Sequence, residues 1–357
     1  MASSGINFSN LTAPNGAVEK LRELVFLAIQ QEESLGGQVT FMGNQKDGKK
    51  VGFLGGFGLL GVAAQGCDPT YGSDLIKTSE QTWDINAIEI AEAICFADIE
   101  NALIKEAAKR KTSVDDLTGT EYFDEIIAPL IEQAFKSAMS RYAWFGDKAM
   151  TSAGMKVSGH EKYFTATDGL WKHLFANVTA GTTKRVTVSA NAQTTVAAQK
   201  SAIKGAGVAT GIIEEMIFEA PAVLRQQAGL RVYMSQGFAD ALTLDYRHNN
   251  KGSDLQWNAL ADGIKTTQYA GVEIVAMPAW DAIIESELKN TTNVNANMLP
   301  YRAVLTIKDN LLAGSESENE AAEIDFNFDH TSRKNTIYVK DTLGTMVAQP
   351  DLAIVAY

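Results

Sequence analysis

The chain has 357 residues, 45% hydrophobic and 21% charged, enough apolar material for a sizeable core and for two or three subdomains. Its 43 Asp and Glu outnumber 31 Lys and Arg, giving a formal net charge of −12. That balance excludes a protein that grips nucleic acid through its overall field, since phosphate binding rests on Lys and Arg. Residues 1–15 are small and polar, an arm ended by the turn signal Pro14-Asn15-Gly16. Residues 17–35 read as a helix, with Val18, Leu21, Leu24, Val25 and Ala28 on one stripe and Gly36-Gly37 as its stop.

From residue 38 to 84 the pattern changes. Nine glycines interrupt short apolar runs, and Asp47-Gly48 makes a turn between extended segments. A stretch this long with so little periodicity is functional or an excursion from the domain body. Residues 83–94 alternate loosely as a strand, and 98–111 read as a helix. The clearest helix is the rod over 121–147, with Ile127, Leu130, Ile131, Ala134, Phe135, Ala138, Tyr142 and Phe145 on one stripe and Gly146 as the stop. Pro129 either kinks this rod or places the start of its regular part near Ala128.

A short helix is predicted over 169–175 and a strand over 185–189. Residues 193–220 read as mostly helical, with a glycine break over 205–211 and Pro221 as the close. A strand over 230–235 leads into a helix over 236–245, and 272–277 is a buried strand by its Val and Ile content. Strands over 301–307, 323–328, 336–339 and 351–356 complete a β-rich C-terminal part. The fold class is mixed α+β, with helices and sheets in blocks rather than regular βαβ alternation.

Candidate chemistry is sparse. Gly56-Phe57-Gly58-Leu59-Leu60-Gly61 matches the dinucleotide fingerprint, but that motif needs a full helix at its third glycine to present an N-terminus to pyrophosphate, and Gly66 and Pro69 leave about one turn. His160, His173, His248 and His330 lack metal-ligand spacing, and there is no nucleophile elbow or phosphate loop. The run from Glu316 to Glu323 reads as a solvated loop. Cys67 and Cys95 read as inert thiols in a reducing compartment. Neither a signal peptide nor a membrane span is legible. Trp144 and Phe145 at the end of the rod read as packing between subdomains rather than as a base-stacking platform. The chain is expected to be no enzyme and to need no cofactor and no metal.

The order of arm, glycine-rich excursion, strand and helix, long rod, inserted α/β unit and β-rich tail resembles the major capsid proteins of tailed bacteriophages. AMSRYAWFGDKAM (138–150) is similar to the spine-helix exit of that family, and RVYMSQGFADAL (231–242) to its axial-domain strand and helix. YAGVEIVAMPAWD (269–281) resembles the following buried strand, and AVLTIKDNLLAG (303–314) the return to the periphery. The tailed-phage and herpesvirus capsid fold is shared with encapsulins.

The resemblance implies an N-terminal arm and first helix over 1–37 and an extended loop over 38–82. It also implies a peripheral domain with a long spine helix over 83–164 and 305–357, and an axial domain over 165–304. Hexamers and pentamers would close an icosahedral shell around double-stranded DNA, bound without sequence specificity and without a membrane. The inter-subunit contacts implied are Lys49, Lys50, Phe53, Leu54, Phe57, Leu59 and Leu60. With Met1 as the true start, scaffolding is expected from a separate protein, alongside a portal and decoration proteins. The virion, assembled in the host cytoplasm, is the implied location. An encapsulin-type compartment shell and, on Gly56–Gly61 alone, a Rossmann-type oxidoreductase are the alternatives.

Overall fold

A computed structural model describes residues 38–57, 76–95, 109, 111, 128–249, 255–260, 264–316, 323–329 and 334–357. The helix expected over 17–35, the excursion tip including Leu59 and Leu60, the start of the rod and most of the helix over 98–111 lie outside them.

Three sheets organise the described residues. A seven-stranded sheet runs in the order β5-β14-β10-β6-β9-β8-β7, built from β5 (Lys184–Val186), β6 (Leu230–Ser235), β7 (Asn258–Ala259), β8 (Lys265–Tyr269), β9 (Val272–Met277), β10 (Ala303–Ile307) and β14 (Ile354–Ala356). A five-stranded sheet joins β1 (Thr40–Met42), β11 (Leu311–Gly314), β13 (Lys334–Val347) and β12 (Glu323–Asp329), with β4 (Asn86–Cys95) also paired to β13. The third sheet is a two-stranded ribbon of β2 (Lys50–Phe57) and β3 (Ile76–Thr82). Strand β14, near the C-terminus, sits between β5 and β10, so the seven-stranded sheet draws on both sides of residue 304.

The seven-stranded sheet is buried on both faces, which is why its central strands read as continuous apolar runs. Side chains alternate between the faces with period two. In register, Val355, Val304, Tyr233 and Val275 line one face. Ile354, Leu305, Val232 and Ile274 line the other. The first face packs on α1 (Ala128–Phe145), α2 (Leu170–Thr179) and α7 (Pro278–Ser286). The second packs on α3 (Val196–Ile203), α4 (Val208–Glu219), the short α5 (Ala222–Arg225) and α6 (Gln236–Asn249).

Helix α1 is described from Ala128 to Phe145, so the expected start of the rod, and with it the choice between a kink at Pro129 and a start near Ala128, lies outside the described residues. Its last turn is enclosed all round: Tyr142, Ala143, Trp144 and Phe145 are buried against α2, α7 and β13. The predicted stripe fails at Ala134, which is exposed, and it omits Met139, which is buried. Met139 is buried because the C-terminal end of the rod is wrapped from several sides, whereas Ala134 lies before that enclosure and faces solvent. The predicted break between α3 and α4 falls at Gly207, whose φ of 77° suits glycine.

Two carboxylates, Asp245 buried and Asp281 half-buried, cap helices from a distance. Asp245 of α6 accepts from the N–H groups of Gly207 (2.9 Å), Ala209 (2.9 Å) and Thr210 (3.1 Å), at the start of α4. Asp281 of α7 accepts from Gln236 N–H (2.5 Å) and Gly237 N–H (2.9 Å) at the start of α6. Burial pushes the Asp281 carboxyl up to about 6 against these hydrogen bonds. Asp245→Ala strips the two buried amides of Ala209 and Thr210 and the more exposed one of Gly207 of their acceptor, so we expect a loss of about 2–4 kcal/mol in denaturant unfolding. A loss under about 0.5 kcal/mol would show that water replaces the carboxylate at no cost.

Candidate assembly surface

Among the described residues, strands β2 and β3 pair only with each other. Lys50 stands opposite Thr82, Val51 opposite Gln81, Phe53 opposite Ser79 and Leu54 opposite Thr78, and the register shifts before Phe57 meets Ile76. The shift falls at Gly55-Gly56, where glycine accommodates a bulge. Gly56 therefore belongs to an antiparallel ribbon, not to the first strand of a βαβ unit. Lys50 is exposed and lies 3.3 Å from Glu80 across the ribbon.

The ribbon grows out of a rigid root. Trp83 N–H donates to Lys49 O (3.0 Å) and Gly48 N–H to Trp83 O (2.9 Å), so the ladder continues below β2 and β3. Gly48 takes the turn with φ of 71°. Trp83, 1% exposed, packs with Ile85, Leu312, Met346 and Ala348. A Cβ on Gly314 would come within 2.9 Å of the Trp83 ring, and one on Gly344 within 2.7 Å of Asp84 O. Of the residues expected at subunit contacts, Lys49, Lys50, Phe53, Leu54 and Phe57 thus lie on the ribbon or its root.

Beneath this, the end of α1 locks into an aromatic hub. Trp144 meets Trp280 edge-on at 4.7 Å, Trp171 meets Trp280 at 5.2 Å, and Phe145 meets Trp280 at 6.4 Å. Trp144 and Phe145 are core packing, as their position in the sequence predicts, and offer no face to a base. Arg302, 1% exposed, stacks over Trp171 (5.0 Å), Phe145 (5.1 Å) and Phe175 (5.7 Å). Its Nε and Nη2 donate to the carbonyls of Leu299 and Met298, both at 2.8 Å. Burial pushes its pKa down to about 9, opposed by Asp281, so it stays charged at neutral pH. Sequence reading missed this residue, because an Arg within an apolar run carries no signal of its cage.

The histidines play separate parts. His160 Nδ1 lies 2.6 Å from Glu287 Oε2, His173 is largely buried and held below its ordinary pKa by that burial, and His248 ends α6. His330 lies outside the described residues. Among the described residues no group of three His, Cys, Asp or Glu is placed to hold a metal ion, and no helix is long and apolar enough to cross a membrane. Phe218 and Val223, at the end of α4 and in α5, are 78% and 59% exposed.

No protein-family model matches the sequence, and no curated protein matches it either. Solved structures do. A chain of the satellite phage P4 procapsid that includes the size determination protein Sid aligns over 95% of this chain and 98% of its own, with a TM-score of 0.51 at 11% identity. The capsid of an empty GTA particle, computed with C5 symmetry, aligns over 90% and 88% with a TM-score of 0.54 at 11% identity. Gordonia phage Cozz aligns over 90% and 85% with a TM-score of 0.51 at 11% identity. The chain has the phage major capsid fold.

Proposed function

We propose that this protein is the major capsid protein of a tailed phage, forming hexamers and pentamers that close an icosahedral shell around double-stranded DNA. The observation that carries the reading is the β2–β3 ribbon, which among the described residues pairs with no other strand. A lone two-stranded ribbon is marginal in water and gains stability from a further partner. A neighbouring copy is the economical partner, since a heterologous contact repeated by rotation closes a ring. Lys49, Lys50, Phe53, Leu54, Phe57, Leu59 and Leu60 are assigned to that contact.

In this reading 83–164 and 305–357 form the peripheral domain and 165–304 the axial domain, with β14 returning to the axial sheet. The net charge of −12 suits a container that releases its genome. Scaffolding, portal and decoration proteins are the other partners, and the virion is the location.

Negative-stain electron microscopy and sedimentation of the purified chain provide the test. Rings, tubes or shells far heavier than 38.5 kDa are expected. A monomer at every concentration and salt would refute the proposal, and particles filled with protein rather than DNA would favour an encapsulin-type shell.

A further inference from the structure

We propose that Asp84 and Lys148 form a salt-sensitive latch that sets the angle at which the β2–β3 ribbon leaves the body. Lys148 Nζ donates to both carboxylate oxygens of Asp84, at 2.7 and 2.6 Å. Asp84 directly follows Trp83, the last residue of the ribbon's ladder, and its Oδ1 also accepts from Asn86 Nδ2 at 3.1 Å. Lys148 is fixed in turn, because its N–H donates to Asp168 Oδ1 at 2.8 Å beside the start of α2. The next residues continue the knot: Asp147 Oδ1 accepts from Ala149 N–H (2.9 Å) and Lys172 Nζ (2.7 Å), and Asp147 N–H donates to Phe164 O (2.8 Å). The ribbon's root is therefore tied to the exit of α1 and to α2 through one lysine.

The chemistry fits a latch rather than a weld. Both side chains are part-exposed, 46% for Asp84 and 36% for Lys148, so salt screens the pair. Burial works against the Asp84 carboxylate, yet the hydrogen bonds from Lys148 and Asn86 outweigh it and hold its carboxyl below the usual value. Because that pKa is depressed, the pair's contribution is full above the unfolded Asp value and is lost as pH falls through the folded one. The groups facing the pair are Asp168 and His173, with the Asp147–Lys172 pair alongside. His173 is held below its ordinary pKa by burial, so it adds no second cation at neutral pH.

The test is amide hydrogen exchange on the full chain, comparing the parent with Asp84→Asn, Lys148→Met and the double variant. It reads the ribbon whether or not particles form, so it fails or succeeds independently of the capsid reading. Each single variant should speed exchange over residues 50–57 and 76–82 about two- to fivefold, the range of a part-exposed pair. Exchange in β9 and β10 should not change. The double variant should be no faster than either single, because the two changes remove one interaction, and raising salt should speed the ribbon only in the parent. Unchanged ribbon exchange in both single variants would overturn the latch. So would a fully additive double variant, or acceleration that spreads equally through β9 and β10.

Discussion

Gly146→Ala and Gly169→Ala should each cost roughly 3 kcal/mol or more in chemical denaturation, among the largest losses for a one-carbon change. The two glycines face each other where α1 ends and α2 begins, and Gly169 N–H donates to Gly146 O at 2.8 Å. A Cβ on Gly146 would lie 2.3 Å from Thr167 O and 2.7 Å from Tyr142 O. One on Gly169 would lie 2.7 Å from Gly146 N and 2.8 Å from Tyr142 O. All four obstacles are backbone, so no rotamer change relieves the clash, and parting the chains pulls Trp144 and Phe145 out of the aromatic hub. Gly211→Ala supplies the contrast. Gly211 is exposed within α4 and nothing lies within 4 Å of its added carbon, so alanine should stabilise by about 0.5–1 kcal/mol through helix propensity. Equal effects at all three positions would mean that the crossing of α1 and α2 is looser than these distances.

That crossing marks the limit of what the sequence makes legible. Gly146 reads as a helix stop, which it is, but nothing local pairs it with Gly169. The buried strands β6, β9 and β10 are legible within two residues, because burial on both faces leaves the largely apolar runs VYM, VEIVAM and AVLTI. Strand β13 is not. Only 336–339 reads as strand, yet it runs from Lys334 to Val347. Its polar residues and Gly344 hide a strand that pairs with β4 and β12 along its first part and with β11 at its end. Arg302, Asp245 and the Asp84–Lys148 pair depend on partners far away in sequence, 64 residues in the last case. Single-sequence periodicity carries no such information. The excursion expected over 38–82 divides in the structure: β2 and β3 form a sheet of their own, but β1 pairs with β11 and Val39 is buried in the core, so the body reaches further into this glycine-rich segment than its lack of periodicity suggests.

Excising that ribbon should separate folding from assembly. Lys49 O and Trp83 N are 3.0 Å apart, so residues 50–82 can be replaced by a short Gly-Ser linker without moving either end. The excision removes both strands of the two-stranded sheet and, among the described residues, no strand of the other two. Among the described side chains the excision takes none from the two large cores and takes the partly buried Val51 from around Trp83. Closure entropy changes slowly with loop length, so the shorter connection adds little cost. The shortened protein should keep its circular dichroism and melt within about 4 °C of the parent. It should no longer form rings or shells, because Phe53, Leu54, Phe57, Leu59 and Leu60 leave with the ribbon, and apolar anchors dominate such contacts. A folded protein that still assembles would remove these residues from the subunit contact. An unfolded one would show that the ribbon belongs to the fold of its own subunit, which would remove the main support for the capsid reading.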